Sequence, residues 1–490
     1  MGIIAIDLGT TNIKVAAYTS TLQEVGIESH NVEYMRDKGF VEFDAEVYFN
    51  SIVSLIKKCC AIPGFAAEKT QLVLTGQAES LVVVDSEGKP LRNGISWLDM
   101  RSDAECQELA AHFDSETCYK ITGQPEIIPT WPLTKILWLK HNEPQLFGSV
   151  GKFLLVKDYI LYRLTGQYVG EHSIYPFSHY FDVVKKEYWM EPLEYCGVNA
   201  SQLPRLVKPC SIVGDILPEV LQQTGLAAGS RANAGTLDHF AGMIGTGNVE
   251  LGLVSESAGT VSSIATFVET PFSSPARIPL YCGPFDNSYI YLPVCESGGI
   301  SLEWFQKQFL TDVSFKDIDV QCAAKEVDPK LTFLPYLTGV NPPEFDPNAT
   351  GVFYGANVAH DRYNFALAIM YGVASLLRKN IDYFRESGIV VEKIISTGGG
   401  AKSALWTQIK ADICNVPVFI PKNHEAPCLG AAIIGAVTEG TFKDYASAIA
   451  ASVVLDKEFT PNPNHEIYEK KYKLFKKIYD ALTPVFGAEE

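Results

Sequence analysis

Apolar residues open the chain almost at once. The runs beginning at Ile3 and Ile13 flank a polar turn, DLGTTN, within IIAIDLGTTNIKVAAY. The pattern predicts two strands, over 3–7 and 13–18, joined by a short reversal. Further extended runs fall at 71–75 and 81–84, and helices are expected over 45–60, 101–112, 132–141 and 154–164. Between 165 and 230 the pattern becomes irregular and aromatic, with EHSIYPFSHYFDV at its centre. That stretch reads equally well as the wall of a binding cleft or as the core of an irregular segment. Near Gly245 the pattern restarts, and VELGLVSESAGTVSSIATF (249–267) again places a Gly-Thr turn between apolar runs. A long helical pattern over 362–386, a strand at 393–397 and a second strand–helix unit follow. Two halves that each open on a strand–Gly-Thr–strand hairpin predict an α/β duplication around a central cleft. Each hairpin is expected to hold one end of a polyphosphate.

The length of 490 residues exceeds what one core usually supports, so two domains are expected. A net charge of -17 argues against general binding to nucleic acid or to anionic membranes. No apolar run approaches the roughly 20 residues of a membrane span, and no leader-like pattern opens the chain. The 11 cysteines contain no C-x-x-C pair, which disfavours a zinc or redox motif. An odd number of them fits reduced thiols and a cytoplasmic location.

Chemistry narrows the reading. Asp7 stands inside the first strand, where an unpaired carboxylate is costly unless a cation accompanies it. The turn after it offers backbone N–H groups, the Thr10 and Thr11 hydroxyls, and Lys14, a set suited to phosphate oxygens. An ordinary turn would use the same residues. TGGGAKSALW lacks the glycine that a Walker loop needs before its lysine, since Ala401 stands there. GMIGTGN fails the dinucleotide fingerprint, with Gly242, Gly245 and Gly247 wrongly ordered. The three glycines at 398–400 nevertheless admit close approach of a ligand ahead of a helix N-terminus; a tight packing turn would look alike. Asp238 sits at an expected helix start, either as a cap or as a base for a substrate hydroxyl. Gln77, Glu79, Asp99 and Arg101 offer polar groups, and Trp97 and Trp131 apolar faces, to a polyhydroxy ligand.

Taken in order, DLGTTNIK, GQAES with ISWLDMR, TLDHFAG, SAGTVSS, FLPYLTGVNPPEFDPNATGVFYG and STGGGAKSALWTQIKADICNVPV resemble the FGGY carbohydrate kinases over essentially the whole chain. The resemblance implies two actin-like (ribonuclease H-like) α/β domains around a central ATP/sugar cleft: 1–248 for the sugar and 249–490 for the nucleotide. It implies ATP as co-substrate with Mg²⁺, and a small sugar or polyol as acceptor. Neither nucleic acid nor membrane would be a partner, and a homodimer is one assembly open to such a chain.

Residue by residue, the resemblance puts Asp7 at the metal and Thr10, Thr11, Asn12 and Lys14 in the first phosphate loop. Gly259 and Thr260 fall in the second loop, Gly299 and Glu303 near the nucleotide, and Gly399 and Ser403 at adenosine. Asp238 matches the catalytic base. Gln77, Ala78, Glu79, Asp238 and His239 fall at the acceptor. Ala78 and Glu79 replace the Met-His of xylulokinases, and Ala78 replaces the arginine of glycerol kinases. In the second half Asn341 stands where the family usually has an arginine. A ketopentose such as xylulose is the leading acceptor. Polyols and aldonates (glycerol, erythritol, gluconate) are the alternatives, with a non-catalytic sugar or ATP sensor behind them.

Overall fold

The computed structural model describes residues 2–65 and 69–487. Two mixed sheets organise it, one in each of two compact units. Unit 1 contains Met1–Gly247, Leu280–Tyr289 and Glu425–Val453; unit 2 contains Asn248–Pro279, Ile290–His424 and Val454–Glu490.

In unit 1, β1 (Gly2–Leu8), β2 (Asn12–Thr19) and β3 (Glu24–Asn31) form an antiparallel meander. β4 (Thr70–Gly76) runs parallel to β1, and β6 (Arg231–Leu237) runs parallel to β4, with β5 (Ile212–Asp215) antiparallel at the edge. Unit 2 repeats the arrangement. β7 (Leu253–Ala258) pairs antiparallel with β8 (Ser262–Val268) and parallel with β9 (Lys393–Thr397). Beyond β9 lie parallel β10 (Val418–Pro421) and antiparallel β11 (Leu455–Phe459). The hairpin, the parallel neighbours and the antiparallel edge occupy the same places in both sheets. The duplication expected from the two hairpins is therefore present strand by strand.

The helices follow from apolar periodicity and from caps. α1 (Ala45–Cys60) is opened by Asp44, which accepts the N–H groups of Glu46 and Val47. Its buried face, Tyr48, Phe49, Ile52 and Ile56, packs with Ile4, Ile6 and Leu8 of β1 and with Tyr159 and Ile160 of α2 (Val156–Thr165). α2 begins two residues later than the sequence pattern predicts, because Lys152–Leu155 is drawn into a strand against Leu81–Val84. α3 (Asp238–Gly245) follows β6 directly. In unit 2, α4 (Ile300–Phe309), α5 (Phe315–Ala323), α6 (Arg362–Glu386) and α7 (Ala404–Cys414) surround a core of Leu302, Phe305, Phe333, Ile369, Trp406 and Ile413.

The units are not the two continuous halves of the chain. α8 (Ala426–Thr438) returns to unit 1, where it packs on α3, β1 and β4. Glycines permit this contact: a Cβ on Gly430 would stand 1.8 Å from the Ala241 carbonyl oxygen, and one on Gly245 2.0 Å from that of Ala426. Of the aromatic segment, Tyr175, Phe177, Tyr180 and Phe181 are all buried in the core, and Phe177 stacks on Tyr281 at 4.3 Å between ring centroids.

Candidate functional site

Unit 1 gathers carboxylates at the C-terminal ends of its parallel strands. Asp7 stands one residue from the end of β1, opposite Lys14 in the β1–β2 register. Glu79 follows β4, and Asp238 follows β6 as the first residue of α3. Sheets of this kind present ligands with these strand ends.

Asp7 Oδ1 is buried and has no hydrogen-bond partner. Burial pushes its carboxyl up to about 7, the charge of Asp238 adds to the shift, and Lys14 opposes it. Lys14 does not pair with Asp7, because its ammonium meets the Glu425 carboxylate at the start of α8. An orphaned acid of this kind suits a cation that keeps most of its water. Mg²⁺ binds in that manner, through one or two carboxylates and substrate phosphates. Among the described residues no group of three or more acidic, histidine or cysteine side chains forms a closed metal cage.

Asp238 is not the cap of α3, since Leu237 holds that position. Its Oδ1 accepts the His239 N–H at 2.6 Å. Burial raises its pKa; the His239 N–H and the charge of Lys157 act the other way. Burial also holds His239 neutral, with a pKa near 4, and leaves its Nε2 without a partner.

Glu79 is half-buried, and its carboxyl is raised by burial, with Lys135 opposing and Asp238 adding to the shift. Lys135 is fully buried, its pKa is lowered for the same reason, and its ammonium donates to the Thr130 carbonyl at 2.6 Å. Gln77 accepts from the Ser80 hydroxyl and donates its backbone N–H to Leu8, which ties the end of β4 to the end of β1. Ala78 is buried beside it. The Trp97 indole donates to Thr10 Oγ1 at 2.8 Å, and Trp131 donates to the Glu126 carbonyl. Thr10, Thr11 and Asn12 lie in or beside the turn, Thr11 being exposed.

Two sequence expectations change here. Asp99 and Arg101 are not free for a ligand: their side chains are wholly buried and paired with each other, and Arg101 also bonds Glu42. Asp99 further accepts the Val41 N–H, so the pair fastens the strand Phe40–Phe43 of a smaller sheet within unit 1. Their charges look like ligand groups in sequence because Glu42 and Val41, which complete the pair's bonding, are remote.

Unit 2 contains a cavity of about 440 Å³. Gly259, Thr260, Gly299, Glu303, Gly399 and Ser403 all line it, so the structure brings together the expected nucleotide residues of this half. The β7–β8 turn is fastened to the start of α4 by Gly299 N–H to Gly259 at 2.8 Å and by Ile300 N–H to Thr260 at 3.1 Å. Gly398 has φ +82°, and a Cβ there would lie 2.7 Å from the Ala258 carbonyl oxygen, so the β9 turn closes on β7 only with glycine. Ser403 caps α7 by accepting the Trp406 N–H. Leu302, Phe315 and Trp406 give the cavity apolar lining, while Lys316, Asp319 and Lys402 add charge. Phe315, Lys316 and Asp319 escaped sequence reasoning, because α5 carries no glycine signature. Lys135 was missed for want of any local signal.

A duplicated α/β fold with carboxylates at the strand ends of one unit and a glycine-edged pocket in the other is the architecture of an actin-like phosphotransferase. The model of the FGGY carbohydrate kinase N-terminal domain matches residues 2–245, and that of the C-terminal domain matches 255–439. The chain is 30% identical to a xylulose kinase of Bacillus subtilis (strain 168), over 97% of its own length and 96% of the relative's. Among solved structures, a ligand-bound xylulose kinase from Lactobacillus acidophilus superimposes with a TM-score of 0.93 at 25% identity, covering 99% of each chain. A gluconate kinase from the same organism gives 0.92 at 26%, again over 99% of each chain. The protein belongs to the FGGY family of carbohydrate kinases and is a sugar phosphotransferase. No helix among the described residues is long and apolar enough to cross a membrane.

Proposed function

We propose that the protein transfers the γ-phosphate of ATP to a hydroxyl of a small neutral sugar, a ketopentose such as xylulose. The observation that carries this reading is the pair Asp7 and Asp238, one with an orphaned buried oxygen and the other with a burial-raised pKa, on the ends of the two strands that flank β4. In the reaction, Asp238 accepts the proton of the acceptor hydroxyl while that oxygen attacks the γ-phosphorus. The bond from the γ-phosphorus to the bridging β-oxygen breaks, and ADP leaves. Mg²⁺, when bound beside Asp7, neutralises phosphate charge. Thr10, Thr11, Asn12 and Lys14 serve phosphate from unit 1; Gly259, Thr260, Gly299, Glu303, Gly399 and Ser403 hold the nucleotide in unit 2. Gln77, Ala78, Glu79 and His239 contact the acceptor. The sugar-binding role thus falls to the first domain and the nucleotide-binding role to the second.

Likeness to a gluconate kinase supports an aldonate as a second reading. Electrostatics weigh against it. Asp7, Glu79 and Asp238 place three carboxyl groups at these strand ends; of the cations that act on them, Lys14 and Lys157 are paired with Glu425 and Glu171, which leaves Lys135 against three acids. An anionic acceptor would meet repulsion there, whereas a neutral polyhydroxy compound meets acceptors for its hydroxyls. The test is a coupled ADP-release assay with xylulose, gluconate, glycerol or no acceptor, with and without Mg²⁺. Xylulose should give the highest kcat/KM; a preference for gluconate would overturn the neutral-acceptor reading.

A further inference from the structure

The strand that delivers Asp238 is interrupted just before it. β6 pairs with β4 in register from Arg231 to Asn233, then shifts, and resumes only at Thr236 and Leu237. Gly235 at the interruption has φ +56°. Bulges of this kind re-aim the residues that follow, and they leave the strand end in need of other anchors.

Those anchors come from outside the sheet. The Leu237 N–H donates to Ser173 Oγ at 3.0 Å, and Thr236 Oγ1 lies 2.8 Å from the same atom. Ser173 Oγ also lies 2.7 Å from Glu171 Oε1, while the Ser173 N–H donates to Oε2 at 2.6 Å. A carboxylate only accepts and a serine hydroxyl donates once, so the proton pattern is fixed: Ser173 donates to Glu171 and accepts from both Leu237 and Thr236. Glu171 is held in turn by Lys157 Nζ at 2.6 Å, with both side chains fully buried. On the other side, Thr75 Oγ1 donates to the Thr236 carbonyl at 3.0 Å. The peptide one residue ahead of Asp238 is gripped from both sides.

We propose that Lys157, Glu171, Ser173 and Thr236 form a positioning relay that sets the direction of Asp238 for proton abstraction. This rests on the reading of Asp238 as the base. The relay touches neither acceptor nor nucleotide; it acts by fixing the backbone from which Asp238 projects. A buried network of this kind is suited to that task, because its hydroxyl and carboxylate members have one hydrogen-bonding arrangement open to them. Misplacement of a reacting group by about 1 Å can cost about 10²-fold in rate.

The test uses the full chain with MgATP and whichever of xylulose, gluconate and glycerol the wild type phosphorylates fastest. Ser173→Ala and Thr236→Val should lower kcat by about 10- to 100-fold, with acceptor KM and calorimetric ATP affinity within about twofold. Thr236→Ser keeps the hydroxyl and should recover most of the rate. In an Asp238→Asn background, Ser173→Ala should cost nothing further, since the group it orients is gone. Lost thermal stability with unchanged kcat, or equal rate losses in both backgrounds, would overturn the relay. Full activity in Asp238→Asn alone would instead remove the base assignment, so the two failures are told apart.

Discussion

The β1–β2 and β7–β8 hairpins share one backbone plan and differ in chemistry. Each has an antiparallel pair around a Gly-Thr turn, and each first strand runs parallel to its other neighbour. At the penultimate residue of the first strand, however, unit 1 has Asp7 and unit 2 has Ser257. Across the ladder, Asp7 faces Lys14 while Ser257 faces Ser263. One turn is charged and the other neutral. Behind each working region lies a buried ion pair with a serine: Lys157, Glu171 and Ser173 in unit 1, and Lys410, Glu256 and Ser396 in unit 2. Duplication thus supplied one scaffold twice, and side-chain changes at a few strand ends divided the labour. On the proposed function, the acid stands where a metal and a proton would be managed, and the neutral turn suits a half that would let phosphate approach the backbone.

The largest break in this comparison should come from removing Asp238, the proposed base at the strand ends of unit 1. Asp238→Asn should lose about 10²–10⁴ in kcat while ATP affinity, measured by calorimetry, stays near wild type. Its melting temperature should change little, because Asp238 does not cap α3 and gives up only its favourable place in the first helical turn. Near-normal turnover by this variant would leave the division of labour without its central residue.

Next in size, Glu79→Ala should raise the acceptor KM by about 10- to 100-fold, the range for a hydrogen bond to a charged group. The KM for ATP should stay within about twofold. Equal changes in both constants would assign Glu79 a structural role.

Ser257→Asp sharpens the comparison from the other side by making the second turn resemble the first. A carboxylate placed there, without a metal of its own, should repel phosphate and raise the KM for ATP roughly tenfold, or about 1.4 kcal/mol. Acceptor KM should be unaffected. An unchanged ATP KM would show that the sign of charge at this position is immaterial.

The smallest effect concerns stability without ligands. Asp7 has a folded pKa of about 7, above its unfolded value. Its neutral form therefore favours the folded state, and that advantage is full at low pH and lost as pH rises toward 7. Asp7→Asn should raise the melting temperature by a few degrees at pH 8 and scarcely at pH 4. A uniform shift across that range would mean that the charge of Asp7 is compensated in the free protein.

Much of this was legible along the chain because it is locally encoded. The helix over 362–386 and the strand over 393–397 fall where their patterns put them, since a strong period and a clear cap leave little choice. The two hairpins were legible for the same reason, although β7 begins at Leu253 and not at Val249. What escaped depends on distance. Nothing near Asp99 announces Glu42 as a shared partner of Arg101, and nothing near Ser173 announces Thr236 or Leu237. The bulge before Asp238 was hidden as well, because AGTLDH reads as an ordinary strand end.

The return of α8 to unit 1 bears on how the protein comes off the ribosome. Residues 2–247 hold every strand of the first sheet, yet the helix that covers Ile3 and Val73 is encoded after Glu425. Until it emerges, the part of that sheet around Ile3 and Val73 lacks this cover, and Lys14 lacks the Glu425 carboxylate. The first unit to be synthesised is accordingly among the last to be finished. A stop before α8 would leave a nearly complete first unit with that apolar part of its sheet bare, exposed to aggregation at the stage where chaperones are most needed.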